Sequence, residues 1–122
     1  MEVTAEEFKR CDLVKVIGRI DSATAPQLAT VFEAIQEENR FRIVFDMTDV
    51  EFISSAGLRV LISTQKTCKR WNRGELVLAS VPQKIYDVLD LAGFVPLFKF
   101  FDKVVAGEYS GSIQWVEEGM SR

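Results

Sequence analysis

The 122-residue chain contains no histidine. That absence removes the commonest general base and the commonest metal ligand together, and with them every hydrolytic triad built on an imidazole. Cysteine is nearly as scarce. Cys11 and Cys68 stand far apart and neither has a CxxC partner, so a secreted disulfide scaffold and a zinc or redox motif are both unsupported. Free thiols in a reducing compartment follow. Neither charge dominates: 15 Lys and Arg against 18 Asp and Glu give a formal net charge of -3, with no basic stripe to mark a nucleic-acid surface. The chain has no GxxxxGK[ST] or GxGxxG loop, the two common designs for cradling phosphates. It also lacks an apolar run of bilayer length and a basic, then apolar, leader, so a cytoplasmic protein without membrane insertion is expected.

What is present suffices for a core. Nearly half the residues, 48%, are apolar, and a chain of this length buries enough of them to fold as one domain without metal or disulfide support. Val3 to Arg10 reads as an edge-like first strand, with a tight turn at Cys11 and Asp12. LVKVIGRI, Leu13 to Ile20, is rich in β-branched residues and reads as a more central strand completing a hairpin. Gly18 marks either a bulge or close packing under a helix. From about Thr24 to Asn39, Leu28, Ala29, Phe32 and Ile35 share one helical face, with Ser22 or Thr24 as cap and Pro26 in the first turn.

Phe41, Ile43 and Phe45 then alternate in a strand ending at Asp46, and Met47 to Ile53 reads as a connection anchored by Val50, Phe52 and Ile53. A helix from near Ser55 places Leu58, Leu61, Ile62, Gln65 and Cys68 on one side, where Cys68 reads as a small buried hydrophobe. ELVLA, Glu75 to Ala79, is the next strand. Ser80 and Gln83 have capping-box spacing before a helix carrying Ile85, Val88, Leu89 and Ala92 and closed by Gly93. A last strand lies within Phe94 to Phe101, with Pro96 suited to its beginning or to an edge position, and Asp102 is placed to cap a final helical turn through Lys103 to Ala106. The strand-helix-strand alternation favours right-handed crossovers and a mixed sheet in an α/β domain.

The chemistry-bearing stretch is the passage from strand to helix at Ser54 and Ser55. Backbone N–H groups at a helix start have no intrahelical acceptor and favour an anion there. Either serine can equally serve as a plain helix cap. Arg59, one turn beyond Ser55, is placed either to approach a phosphate carried there or simply to face solvent. Asp21 belongs either to the same rim or only to a turn that ends its strand. Asp21, Asp46 and Asp49 all lie in turn-like segments without a base–nucleophile pair, which argues against an enzyme.

In order and spacing, GRID with a following TAP helix start, FRIVFDMTDVEFISSAGLRVL and GELVLASVPQKIYDVLDLAGF resemble the STAS family, especially its anti-sigma factor antagonists. The resemblance implies a single small α/β domain over residues 1–106, with a mixed four- to five-stranded sheet and helices mainly on one face, followed by an extension over 107–122. It further implies a non-enzymatic protein without cofactor or metal that binds an anti-sigma serine kinase of the HATPase type. Phosphorylation would switch that binding off, a serine phosphatase would restore it, and the unphosphorylated form would release a sigma factor. Ser55 matches the family's phosphoacceptor, and Ser54 stands where aspartate is frequent. Ala56 stands where serine is frequent, Gly57 and Leu58 match the glycine–leucine pair that opens the helix, and Asp21 resembles the acidic residue of the partner-facing rim. The alternative within the same family is a STAS interaction subunit of a stress-sensing, lipid-transport or secretion assembly.

Overall fold

The computed structural model of the protein describes residues 1–101. The strands are β1 (Glu2–Glu7), β2 (Asp12–Ile20), β3 (Arg42–Ile53), β4 (Glu75–Ala79) and β5 (Lys99–Phe101). Between them lie α1 (Ala25–Glu37), α2 (Ser55–Lys69) and α3 (Gln83–Leu91), with 3-10 turns at Arg70–Asn72 and Val95–Leu97. The sheet order is β1-β2-β3-β4-β5; β1 runs antiparallel to β2, and the remaining neighbours are parallel. Each parallel crossover joins adjacent strands through a helix, and one handedness for all three puts every helix on the same face. The expected mixed sheet with one helical face is therefore what forms.

The main core lies between that face and the helices. Val14, Val16, Ile20, Leu28, Phe32, Ile43, Phe45, Leu61, Leu76 and Leu89 are buried there, and the Phe32 and Phe45 rings meet edge to face at 5.5 Å. Alternation along the strands turns Val44, Val77 and Ala79 the other way, where they pack with Cys11 and Phe101. Cys11 and Cys68 are both free and buried, and burial pushes each thiol up to about 11. Gly18 is a bulge residue, with φ +112 at a shift in the β2–β3 register.

Four local expectations are corrected. The third strand does not stop at Asp46: Met47 to Ile53 continues it, because the second half of β2 pairs with this stretch, from Ile17↔Asp49 to Ile20↔Ile53. Within it Val50 and Ile53 turn inward, but Phe52 is 38% exposed and lies under the Arg19 guanidinium at 4.3 Å. The Ser80–Gln83 capping box does not form. Ser80 has a positive φ of 53, Pro82 holds the cap position without a side-chain cap bond, and Gln83 Nε2 donates to Asp87 Oδ1 instead. Pro96 belongs to the 3-10 turn ahead of β5 rather than to a strand. The turn expected over Asp102 to Ala106 and the extension over 107–122 lie outside the described residues.

Candidate functional site

The rim at the C-terminal ends of β2 and β3 is drawn together by backbone pairing at the last residues of the two strands. Ile20 pairs with Ile53, and the Ser54 N–H donates to the Ile20 carbonyl at 2.8 Å. Asp21 and Ser54 are thus brought to the same rim, as neighbours of that bond. Ser54 then becomes the N-cap of α2. Its φ of -91 and ψ of 175 are extended, its Oγ accepts from the Gly57 N–H at 3.3 Å, and its carbonyl accepts from the Leu58 N–H at 2.9 Å.

With Ser54 committed to the cap, Ser55 occupies the first helical position and is exposed. The alternative left open by the sequence, that either serine caps, resolves in favour of Ser54. Serine and aspartate are comparable N-caps, so a serine here keeps the cap while removing a carboxylate from beside Ser55. No acidic residue stands in the first turn of α2, so the positive end of the helix dipole has no carboxylate of its own helix to answer it.

Gly57 allows the helix to start where it does. A Cβ at this position would lie 2.7 Å from Ile53 Cγ1 and 2.8 Å from Ile20 Cγ2, closer than carbon atoms approach. The buried Leu58 follows it into the core, whereas Ala56 is half-buried. Arg59 is exposed and, with Ser22, Ala25, Ala56 and Ser63, lines a groove of about 520 Å³ between α1 and α2. Ser55, Ala56 and Arg59 therefore give this end of α2 an open surface, while Gly57 and Leu58 fix it to the sheet.

Asp21 is bound into its own turn. Its Oδ1 accepts from the N–H groups of Ala23 at 3.0 Å and Thr24 at 3.1 Å, and the Thr24 Oγ1 accepts from the Asp21 N–H at 2.9 Å. Those donors, Thr24 first, hold its carboxyl below the usual carboxylate range. Thr24 sits at the cap position of α1 without capping it; its hydroxyl donates to the Arg19 carbonyl at 2.9 Å. The D-x-x-T spacing was the available signal for this lock, which reading Thr24 as a helix cap overlooked. Asp46 and Asp49 do not join Asp21. Asp46 accepts from the backbone and hydroxyl of Thr48 at 3.0 and 2.6 Å, and Asp49 pairs with Lys15 at 3.2 Å. Among the described residues no group of three or more acidic or cysteine side chains is arranged to hold a metal ion. No helix among them is long and apolar enough to cross a membrane.

Comparison with known proteins places this geometry. Residues 2–107 match the model of the STAS domain. The chain is 31% identical over 98 residues to BtrV of Bordetella bronchiseptica, covering 80% of this chain and 84% of that protein. It is 28% identical to the anti-sigma-B factor antagonist of Listeria monocytogenes over 112 residues, covering 92% and 95% respectively. Among solved structures, the anti-sigma factor antagonist SpoIIAA in its unphosphorylated form superposes with a TM-score of 0.70 at 15% identity, over 81% of this chain and 87% of that one. SpoIIAA in its phosphorylated form gives 0.65 at 13% identity, over 81% and 90%. The chain belongs to the STAS domain family and stands with its anti-sigma factor antagonists, which are regulatory binding modules rather than enzymes.

Proposed function

We propose that this protein binds an anti-sigma serine kinase of the HATPase type through the rim formed by Asp21 and residues 54–59, and that phosphorylation of Ser55 ends the binding. In the unphosphorylated state the domain competes for the kinase and a sigma factor is released. A serine phosphatase returns the modified form to the binding state. The kinase supplies the ATP chemistry in the cytoplasm, and this domain supplies the surface and the hydroxyl.

The observation that carries the reading is the division of labour between the two serines. The Ser54 side chain is hydrogen-bonded within the cap, whereas Ser55 is exposed at the first position of α2. A phosphate on Ser55 adds about -1.5 to -2 charges beside unpaired helix N–H groups, which stabilise it. The same charge repels an acidic or closely packed partner surface, so binding is lost while the fold is retained. The relatives fit this reading: the Listeria protein bears the name of an anti-sigma-B factor antagonist, and SpoIIAA has been solved in unphosphorylated and phosphorylated forms.

Phosphopeptide mapping after co-purification from the native cell tests it, with Ser55→Ala and Ser54→Ala alongside the native chain. A single phosphorylated species that disappears only in Ser55→Ala is expected. A phosphate that persists in Ser55→Ala and vanishes in Ser54→Ala would overturn the assignment.

A further inference from the structure

Between Glu51 and Glu75 the chain carries the cations Arg59, Lys66, Lys69, Arg70 and Arg73 and no carboxylate, although the protein as a whole has a net charge of -3. Positive charge is thus concentrated on α2 and the turn that follows it. Helical spacing aligns much of it: Arg59, Lys66 and Arg70 fall on one face with Ser63 between them, and all four are exposed. At about 1.5 Å of rise per residue the stripe is roughly 17 Å long, and it starts one turn beyond Ser55.

These charges are available. Among the described residues, the side chains of Arg59, Lys66, Lys69 and Arg70 enter no ion pair and no hydrogen bond. Arg70 is engaged through its backbone, its carbonyl accepting from Arg73 Nε at 3.1 Å. Arg73 itself is held by the Phe41 ring and by the Arg70 and Thr67 carbonyls, and it is not part of the stripe. The helix dipole favours cations in the last turn, which accounts for Lys66 and Lys69 but gives no reason for Arg59 in the second.

The stripe ends at Trp71. The indole is 82% exposed, and the residue has a φ of 62, in the left-handed region that bulky side chains rarely occupy. Backbone strain of this kind persists where packing or function demands it, and a ring so exposed gains no packing to offset it.

We propose that the outward face of α2, from Arg59 to Trp71, docks an acidic segment of the protein partner, with Trp71 as the anchor at its far end. The inference deepens the kinase reading and rests on it: the rim at Ser55 forms one end of the interface, and the stripe extends that interface along the helix. Unpaired cations on one face complement carboxylates, and an exposed tryptophan beside them is of the residue type that most often dominates binding energy. A nucleic-acid strand fits less well, because such sites stack successive bases on several aromatic rings, whereas one ring stands at the end of this stripe. An acidic partner also gives a phosphate on Ser55 a specific opponent, since the added charge would meet the partner's own negative charge at the head of the stripe.

Binding kinetics with the purified anti-sigma kinase encoded by the same organism test the inference. Native chain, Lys66→Gln/Arg70→Gln, Trp71→Ala and Ser55→Asp are compared at low and high salt. The substituted positions are all exposed, so urea unfolding of Lys66→Gln/Arg70→Gln and Trp71→Ala should match that of the native chain. The double variant should bind about fivefold or more weakly through slower association, with the deficit shrinking as salt rises. Trp71→Ala should bind about tenfold or more weakly, through faster dissociation. Native affinity in either variant, with Ser55→Asp weakened, would overturn the inference and leave the kinase reading standing. Native affinity in Ser55→Asp, with both other variants weakened, would support the docking face and remove the phosphorylation switch. A kinase that does not bind the native chain would overturn both. Tighter binding of an oligothymidylate strand than of the kinase, lost in the double variant, would overturn the inference by assigning the face to nucleic acid.

Discussion

Replacing Gln65 by methionine should destabilise the domain by about 3 kcal/mol, although the substitution nearly conserves volume. The reason lies in the shortness of β5, which pairs with β4 only from Val77 to Ala79 and leaves no strand residue opposite Leu76. The Gln65 side chain stands in for the missing peptide group. Its Oε1 accepts from the Leu76 N–H at 2.7 Å, and its Nε2 donates to the Leu76 carbonyl at 3.0 Å and to the Leu97 carbonyl at 2.9 Å. Leu76 is fully buried, so its two backbone groups would lose their partners away from water, at about 1–3 kcal/mol each, with the carbonyl at the low end. Leu97 is 44% exposed, and water can replace its bond at small cost. For a domain of this size the sum corresponds to a fall in Tm of roughly 12–24 °C. Urea unfolding of the native and Gln65→Met chains measures it directly, with an unchanged m-value expected. A loss below about 1 kcal/mol would refute the reasoning, because Leu76 would then have another way to satisfy its hydrogen bonds.

The two serines should separate in stability before any partner is added. Ser54→Ala loses the bond to the Gly57 N–H and should cost about 1 kcal/mol in denaturant unfolding, whereas Ser55→Ala should stay within about 0.5 kcal/mol of the native chain. Ser55→Asp should be as stable as the native chain or more stable, by about 0.3–1 kcal/mol at low salt, because the new charge faces the positive end of α2. Gly57→Val should cost about 2 kcal/mol, as the added carbons meet Ile20 and Ile53; equal stability by thermal unfolding would count against the close approach described for α2. Burial raises both thiols to about 11, so Cys11 and Cys68 should resist a thiol reagent at pH 7 in the native protein and react once it is unfolded. The lowered pKa of Asp21 adds stability that is complete above its ordinary carboxylate value and is lost as pH falls through the lower native one. Acid unfolding of Asp21→Asn should lack that part of the pH dependence.

Local pattern carried much of the fold. Leu28, Phe32 and Ile35 on α1 and Leu58, Leu61, Gln65 and Cys68 on α2 are buried where helical spacing put them. What the sequence concealed depended on partners distant along the chain. MTDVEFI does not alternate as a strand should, and only the length of β2 explains why it is one. Phe52 looked like an anchor because it is aromatic, but the register turns it outward, toward Arg19. Gln65 fell on the correct face, yet its task follows from where β5 begins, which no local pattern reveals. At the rim, the stretch from Ser54 to Leu58 was visible as a helix start. Which serine caps it depends on the geometry at Gly57 and Ile20, and Asp21 is both a neighbour of the rim and the lock of its own turn.

The proposed switch is tested most directly by the affinity of the purified anti-sigma kinase encoded by the same organism for the native chain, Ser55→Ala and Ser55→Asp, measured side by side by calorimetry. Native protein and Ser55→Ala should bind comparably, and Ser55→Asp, although fully folded, should bind at least about tenfold more weakly. Equal binding by all three proteins would contradict the account.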